Sequence, residues 1–440
     1  MGIYGALSSA VTGLRAQAHA LENISGNIAN SQTTAYKRIE TDFLDLIPDA
    51  PTKRQVPGAV LAQSRGTNEV RGDIKTVSSE TFVALNSNGF FVVEPKVGQS
   101  DGNAVFSGTN FYTRRGDFEL DKDGRLVNGA GYYLKGLPVD RATGNVSGSV
   151  PAPIQISNGF LGARQSSVIK YEANLPQMPR PAAYDGTNPA TSLVTLPVAS
   201  PDQFVSESIE GGSVTLYAQN GAPADVQLRW GKTAHADSAV AGSQDTWELF
   251  YLGNGGAWTQ AGAFSFGPDG AMTQPTGTEI TIPGLNVNGT AIGDVKLQFG
   301  KGGLTQFDDV NGTADVSTLS QDGYAAGEFV SVAINDSGRV VATYSNGKRI
   351  DVAQVVTAEF NAINKLKRLD GGVYATTSES GEAILDLSGG GIIGGALEAS
   401  NTDISDEFTK LIVTQQAYAA GTRIVSTADE MLQEALNMVR

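Results

Sequence analysis

The sequence predicts an α+β multidomain chain, with long N- and C-terminal helices paired as a coiled coil and mostly-β domains between them. Three observations carry this. Near the start, Leu7, Leu14, Leu21 and Ile28 recur every seven residues. Near the end, Ile404, Leu411, Tyr418, Val425, Leu432 and Val439 do the same, with Phe408 opening a second series four residues on. A sustained heptad stripe is the pattern of a helix that buries one seam against another. Between the two ends, runs of β-branched and aromatic residues are broken by Gly, Asn and Asp, and Gly reaches 53 of 440, which favours short strands and many turns.

The first helix is expected over residues 1–30. Gly13 and Gly26 each weaken it by about 1 kcal/mol relative to Ala. It then meets Asn30, Ser31, Thr33 and Thr34, whose side chains compete for backbone hydrogen bonds and interrupt it. From about 56 to 150, "TFVALNSNGFFVVEP" and "FYTRRGDFELDKDGRLVNGAGYYLKG" read as strands. Asp123-Gly124 reads as a hairpin turn. It lacks the spacing and final Glu of a calcium loop. Residues 151–319 hold all three tryptophans, Trp230, Trp247 and Trp258, among alternating runs such as "DVQLRW" and "TWELFYL". Those tryptophans are expected in a core of their own rather than on a carbohydrate-binding face.

Strands resume from 320, with turns at Asp336-Ser337-Gly338 and Ser345-Asn346-Gly347, and "DVAQVVTAEFNAINKL" suits strand or helix. The Gly-rich stretch 387–401 leads to the last helix, with Asn401 or Asp403 as its cap. The expected boundaries are therefore 1–30 and 402–440 for a terminal helical domain. Linkers span 31–70 and 364–401, a β-rich inner and middle domain spans 71–150 and 301–363, and an outer β domain spans 151–300.

Composition narrows the function. The net charge is −15, which opposes nucleic-acid binding and anionic membrane surfaces. Cys is absent and His occurs only at 19 and 235, so neither a disulfide framework nor a His/Cys zinc site is expected. No run is apolar enough for a membrane span, and the N-terminus lacks the basic lead of a cleaved signal peptide. No nucleophile and base stand in a catalytic motif, and Asp117, Asp121 and Asp123 read as solvated acids around a turn. No enzyme activity and no cofactor are expected. The helix faces are rich in small residues, among them Ala10, Ala16, Ala20, Ala417 and Ala420. They allow close approach of further helices, so self-association through the striped residues is expected.

Several segments resemble the bacterial flagellar axial family of rod and hook proteins, hook proteins most closely. Thr12-Gly13-Leu14, Gly26-Asn27-Ile28-Ala29-Asn30 and Thr33-Thr34-Ala35-Tyr36-Lys37-Arg38 stand for the N-terminal signature. Ala35 replaces its usual Gly, which argues against a left-handed turn there. Gly89-Phe90-Phe91 and the series Arg114, Gly116, Phe118, Asp121, Gly124, Leu126 and Val127 match internal segments. "GLTQF" and "QDGYAAGEF" are closer to hook than to rod proteins, and 396–440 matches the C-terminal signature.

The resemblance implies a subunit of the flagellar hook, a curved helical tube that acts as a universal joint between rod and filament. It implies a homopolymer whose partners are the distal rod, hook cap, hook–filament junction and length-control proteins. Export through the flagellar export apparatus would place it outside the cell without a cleaved signal peptide. A distal rod protein or other axial component is the nearest alternative. A secreted carbohydrate-binding β protein is a more distant one.

Overall fold

The computed structural model describes residues 3–46, 59–140, 143–198, 200–236, 240 and 242–438. Its helices are α1 (Ile3–Ala29), the short α2 (Pro201–Glu207) and α3 (Ile404–Met438), with three single-turn 3-10 segments. Strands and turns make up most of the rest. The chain divides into two compact units. The first comprises 1–158, 330–343 and 349–440; the second comprises 159–329 and 344–348.

In the first unit, the strand Phe90–Ser100 pairs antiparallel with Phe111–Thr113 on one side and Tyr132–Pro138 on the other. Strands from the C-terminal half complete the sheet. Arg349–Val355 joins Tyr132–Pro138, and Val373–Ala375 joins Phe111–Thr113. The stretch that suited helix or strand is strand through Glu359, because Val356 and Ala358 sink into the core beside Phe90 and Tyr112, and it ends in a 3-10 turn at Ile363–Lys365. Gly116, Phe118, Asp121 and Leu126 each have a physical reason for their place in the pattern from Arg114 to Val127. Phe118 and Leu126 are fully buried, and Phe91 packs edge-on to Phe118 at 5.7 Å. Asp121 Oδ1 accepts the Asp123 and Arg125 N–H groups, closing the turn. A Cβ on Gly116 would lie 1.6 Å from the Val83 carbonyl oxygen, so only Gly fits.

The second unit holds a five-stranded antiparallel sheet over Ile209–Gln274. It also holds a mixed sheet centred on Val168–Asn174, which pairs with Thr290–Gln298, Leu304–Thr305 and Asp315–Gln321. Trp230, Trp247 and Phe264 fill the core. The Trp230 indole N–H donates to the Tyr171 hydroxyl at 2.8 Å, which in turn donates to the Gly211 carbonyl. Trp258 is half-buried against Phe204. A fragment 159–329 is therefore expected to melt in one cooperative step by circular dichroism. A fragment stopping at 300 loses the last two partners of Val168–Asn174, along with Leu304, and is expected to melt broadly.

The expected fold class needs correction. The chain is a mainly-β protein, and the terminal helices do not form a coiled coil. A coiled coil needs an apolar seam on both helices. The row that α3 turns inward is Glu407, Thr414, Gly421 and Ala428, which is small or polar. Ile404, Phe408 and Tyr418 lie exposed instead. On α1 the most buried residues are Ala16, Ala20, Ile24 and Asn27, off the Leu7–Ile28 stripe. The two helices do touch, with Leu14 lying where a Gly421 side chain would project, 2.8 Å from its ideal Cβ.

Candidate assembly surface and its anchor

Why α1 stops at Ala29 is visible in its side chains. Asn30 Nδ2 donates back to the Gly26 carbonyl, the Ser31 hydroxyl donates to the Ile28 carbonyl, and Thr33 donates to Asn30 Oδ1. The chain then turns through Ala35, whose φ of 55° is left-handed despite its methyl group. The sequence reading at that point was wrong. The strain is offset by a hydrogen bond from the Ala35 N–H to the Glu398 carbonyl and by burial.

Asn27 is the first hub. It is 1% exposed, and its amide bonds the Ile39 backbone through both its donor and its acceptor. The same amide donates to Glu407 on α3 and accepts from the Tyr36 hydroxyl. His19 and Asn23, two turns and one turn earlier, reach Ser64 and Thr41. One face of α1 is thereby fastened to the antiparallel strands Ile39–Leu46 and Ala59–Gly66.

The second hub is ionic. Lys37 Nζ lies 2.5 Å from Glu398 Oε1, and Arg114 reaches Glu398 Oε2 at 3.4 Å. All three side chains are at most 1% exposed. Lys37 also donates to the Val70 carbonyl, and Arg114 to the Leu85 and Ser87 carbonyls. Burial holds the Lys37 ammonium below its ordinary range, against the pull of Glu398, and the Arg114 charge acts in the same sense. Burial lowers Arg114 likewise. Arg368 stacks on Tyr36 at 4.3 Å and donates to the Lys37 carbonyl.

Asn401 is not the cap of α3. It accepts from the Arg38 N–H and donates to the Thr67 and Val70 carbonyls. Asp403 caps the helix through the Ser405 and Asp406 N–H groups. The outgoing and returning segments, 33–38 and 396–403, are thus tied side by side.

Of the residues expected to self-associate, Leu7, Leu14, Leu21, Ile28, Leu411, Val425 and Leu432 are half-buried within the chain. Ile404, Phe408 and Tyr418 are exposed, and Val439 lies outside the described residues. The heptad reading missed the larger exposed apolar side chains of α3. Ile412, Val413, Ile424 and Met431 are each more than half exposed. They lie among the most buried α3 residues, Glu407, Thr414 and Ala428, and are left exposed while Leu411, Val425 and Leu432 are half-buried. Phe43, Leu44, Leu46 and Leu61 are likewise exposed on the strand pair beside α1. Apolar surface of this extent marks a protein contact.

Fold and surface together describe a structural chain, one whose buried charges fasten segments to each other and whose apolar side chains are left over for neighbours. Among the described residues no group of three His, Asp or Glu is placed to hold a metal, and no helix is long and apolar enough to cross a membrane. A family profile described as "Flagellar hook protein FlgE/F/G D1 domain" matches residues 84–170. A second, "Flagellar basal body rod FlgEFG protein C-terminal", matches 393–438.

The flagellar hook protein FlgE of Brucella suis is 30% identical over 447 residues, covering 100% of both chains. That of Salmonella typhimurium is 30% identical over 448 residues, covering 98% of this chain and 99% of its own. The crystal structure of the Helicobacter pylori hook protein FlgE2 shares the fold, with a TM-score of 0.50 at 15% identity over 75% of this chain and 99% of that one. The chain belongs to the flagellar hook and rod family, and is a structural component of the bacterial flagellum.

Proposed function

We propose that this chain is the subunit of the flagellar hook, polymerising into a curved helical tube that joins the motor's rod to the filament. The full-length match to hook proteins carries this reading, since it runs through the outer unit, 159–329, as well as the two ends. In the tube, the outward residues of α3 and the exposed strand pair meet neighbouring copies, together with the striped positions from Leu7 to Ile28 and Ile404 to Val439. A helical tube requires such a heterologous, non-closing contact. Its ends meet the distal rod, cap and junction proteins, and the chain arrives through the flagellar export apparatus with its length set by a control protein.

The rod description of the C-terminal profile makes a distal rod subunit the second reading. Electron microscopy of a strain lacking the gene separates them. A hook subunit leaves complete rods without hooks; truncated rods would reject the hook assignment in favour of the rod.

A further inference from the structure

Three polar side chains in the first unit are unrelated to the hubs. Glu94 lies on the strand Phe90–Ser100, Lys135 on Tyr132–Pro138, and Asn110 immediately before Phe111–Thr113. The registers pair Tyr133 with Glu94 and Val93 with Phe111. Continued by one residue, the second register sets Asn110 opposite Glu94. Alternation along each strand then puts Lys135, Glu94 and Asn110 on one face of three adjacent strands. Val92, Tyr112 and Leu137, each two residues from one of them on that face, are buried in the core. Phe106 packs edge-on to Tyr133 at 5.1 Å alongside.

The three side chains are in contact. Lys135 Nζ donates to Asn110 Oδ1 at 2.8 Å and lies 2.9 Å from Glu94 Oε2. With a C=O bond near 1.23 Å, the amine is held within about 4 Å of the amide carbon. Lys135 and Glu94 are 6% and 3% exposed. Glu94 Oε1 is fixed by the Gly108 N–H. A surface ion pair needs none of this burial, and an ion pair alone does not need the amide.

We propose that Lys135 and Asn110 join in an intramolecular isopeptide bond, with Glu94 as the proton shuttle. Lys135 gives a proton to the Glu94 carboxylate and its neutral amine attacks the Asn110 side-chain carbon. The proton released by the attacking nitrogen passes through Glu94 to the amide nitrogen, which leaves as ammonia. One C–N bond forms and one breaks, no electrons are exchanged, and no cofactor is required. Proximity and general acid–base help supply the acceleration. The reaction needs the three strands assembled, so it follows folding, and the product resists shear between strands that hydrogen bonds alone hold together.

The test is mass spectrometry of the purified, folded, full-length chain after denaturation. The expected result is a deficit of about 17 Da, one ammonia, from the sequence mass. Trypsin should then yield a branched peptide joining 97–114 to 126–141, uncut at Lys135. Glu94→Gln and Asn110→Ala should both restore the full mass. A folded wild-type chain at full sequence mass overturns the proposal. So does a deficit that persists in both variants, or one that maps to an Asn-Gly succinimide instead of the branched peptide. Should the variants fail to fold, the wild-type peptide map decides alone.

Discussion

Val413→Asp is expected to abolish polymerisation and motility while leaving the isolated chain as stable as before. Val413 is 60% exposed on α3, so the folded monomer loses almost nothing, and a change within about 0.5 kcal/mol is expected at such a site. On the proposed assembly contact a neighbour covers the same position, and a carboxylate there would be desolvated without a partner, at a cost of several kcal/mol. Repeated at every subunit, that penalty stops growth. Ile424→Asp, 52% exposed on the same side of α3, should behave alike. The measurement pairs thermal melts of purified monomer with electron microscopy of cells. Hooks of normal length in both variants would remove the outward face of α3 from the assembly contact. A large fall in melting temperature would mean that the face is used within the chain.

Glu398→Ala is expected to be the most damaging single change to the first unit, costing about 3–5 kcal/mol, because it leaves two buried cations without their shared anion. Lys37 and Arg114 then face each other across the vacated site, and the Gly72 N–H, which donates to Glu398 Oε1 at 2.9 Å, loses its acceptor. Urea denaturation read by fluorescence and circular dichroism should show a lower midpoint for the first unit, with the transition of 159–329 unmoved. A loss below about 1 kcal/mol, the range of an exposed pair, would show that water reaches the cluster.

The parts of the fold that were legible in sequence are those governed by local chemistry. The Asp-Gly turn at 123–124, the tryptophan-bearing strands and the end of α1 at the Asn/Ser/Thr tract follow from residues within a few positions of each other. The hubs were not legible. Lys37 and Glu398 are 361 residues apart, and a lone Lys in a polar tract carries no sign that a Glu waits at the far end of the chain. Asn401 looked like a helix cap because a capping residue and a buried amide hub have the same side chain. The coiled-coil expectation failed for a different reason. Hydrophobic periodicity finds apolar rows, but the inward row of α3, Glu407, Thr414, Gly421 and Ala428, also recurs every seven residues and is nearly invisible to such a search. Close approach to Leu14 selects for smallness there. The bulky apolar residues beside it were visible; periodicity could not say that they face outward.

The side-by-side fastening of residues 33–38 to 396–403 has a mechanical consequence. Tension or torque applied through α1 and α3 enters the β unit at one narrow clamp, where both strands of the chain are gripped by the same buried ions and amides. Force entering through either helix therefore meets the same buried ions and amides before it reaches the sheet.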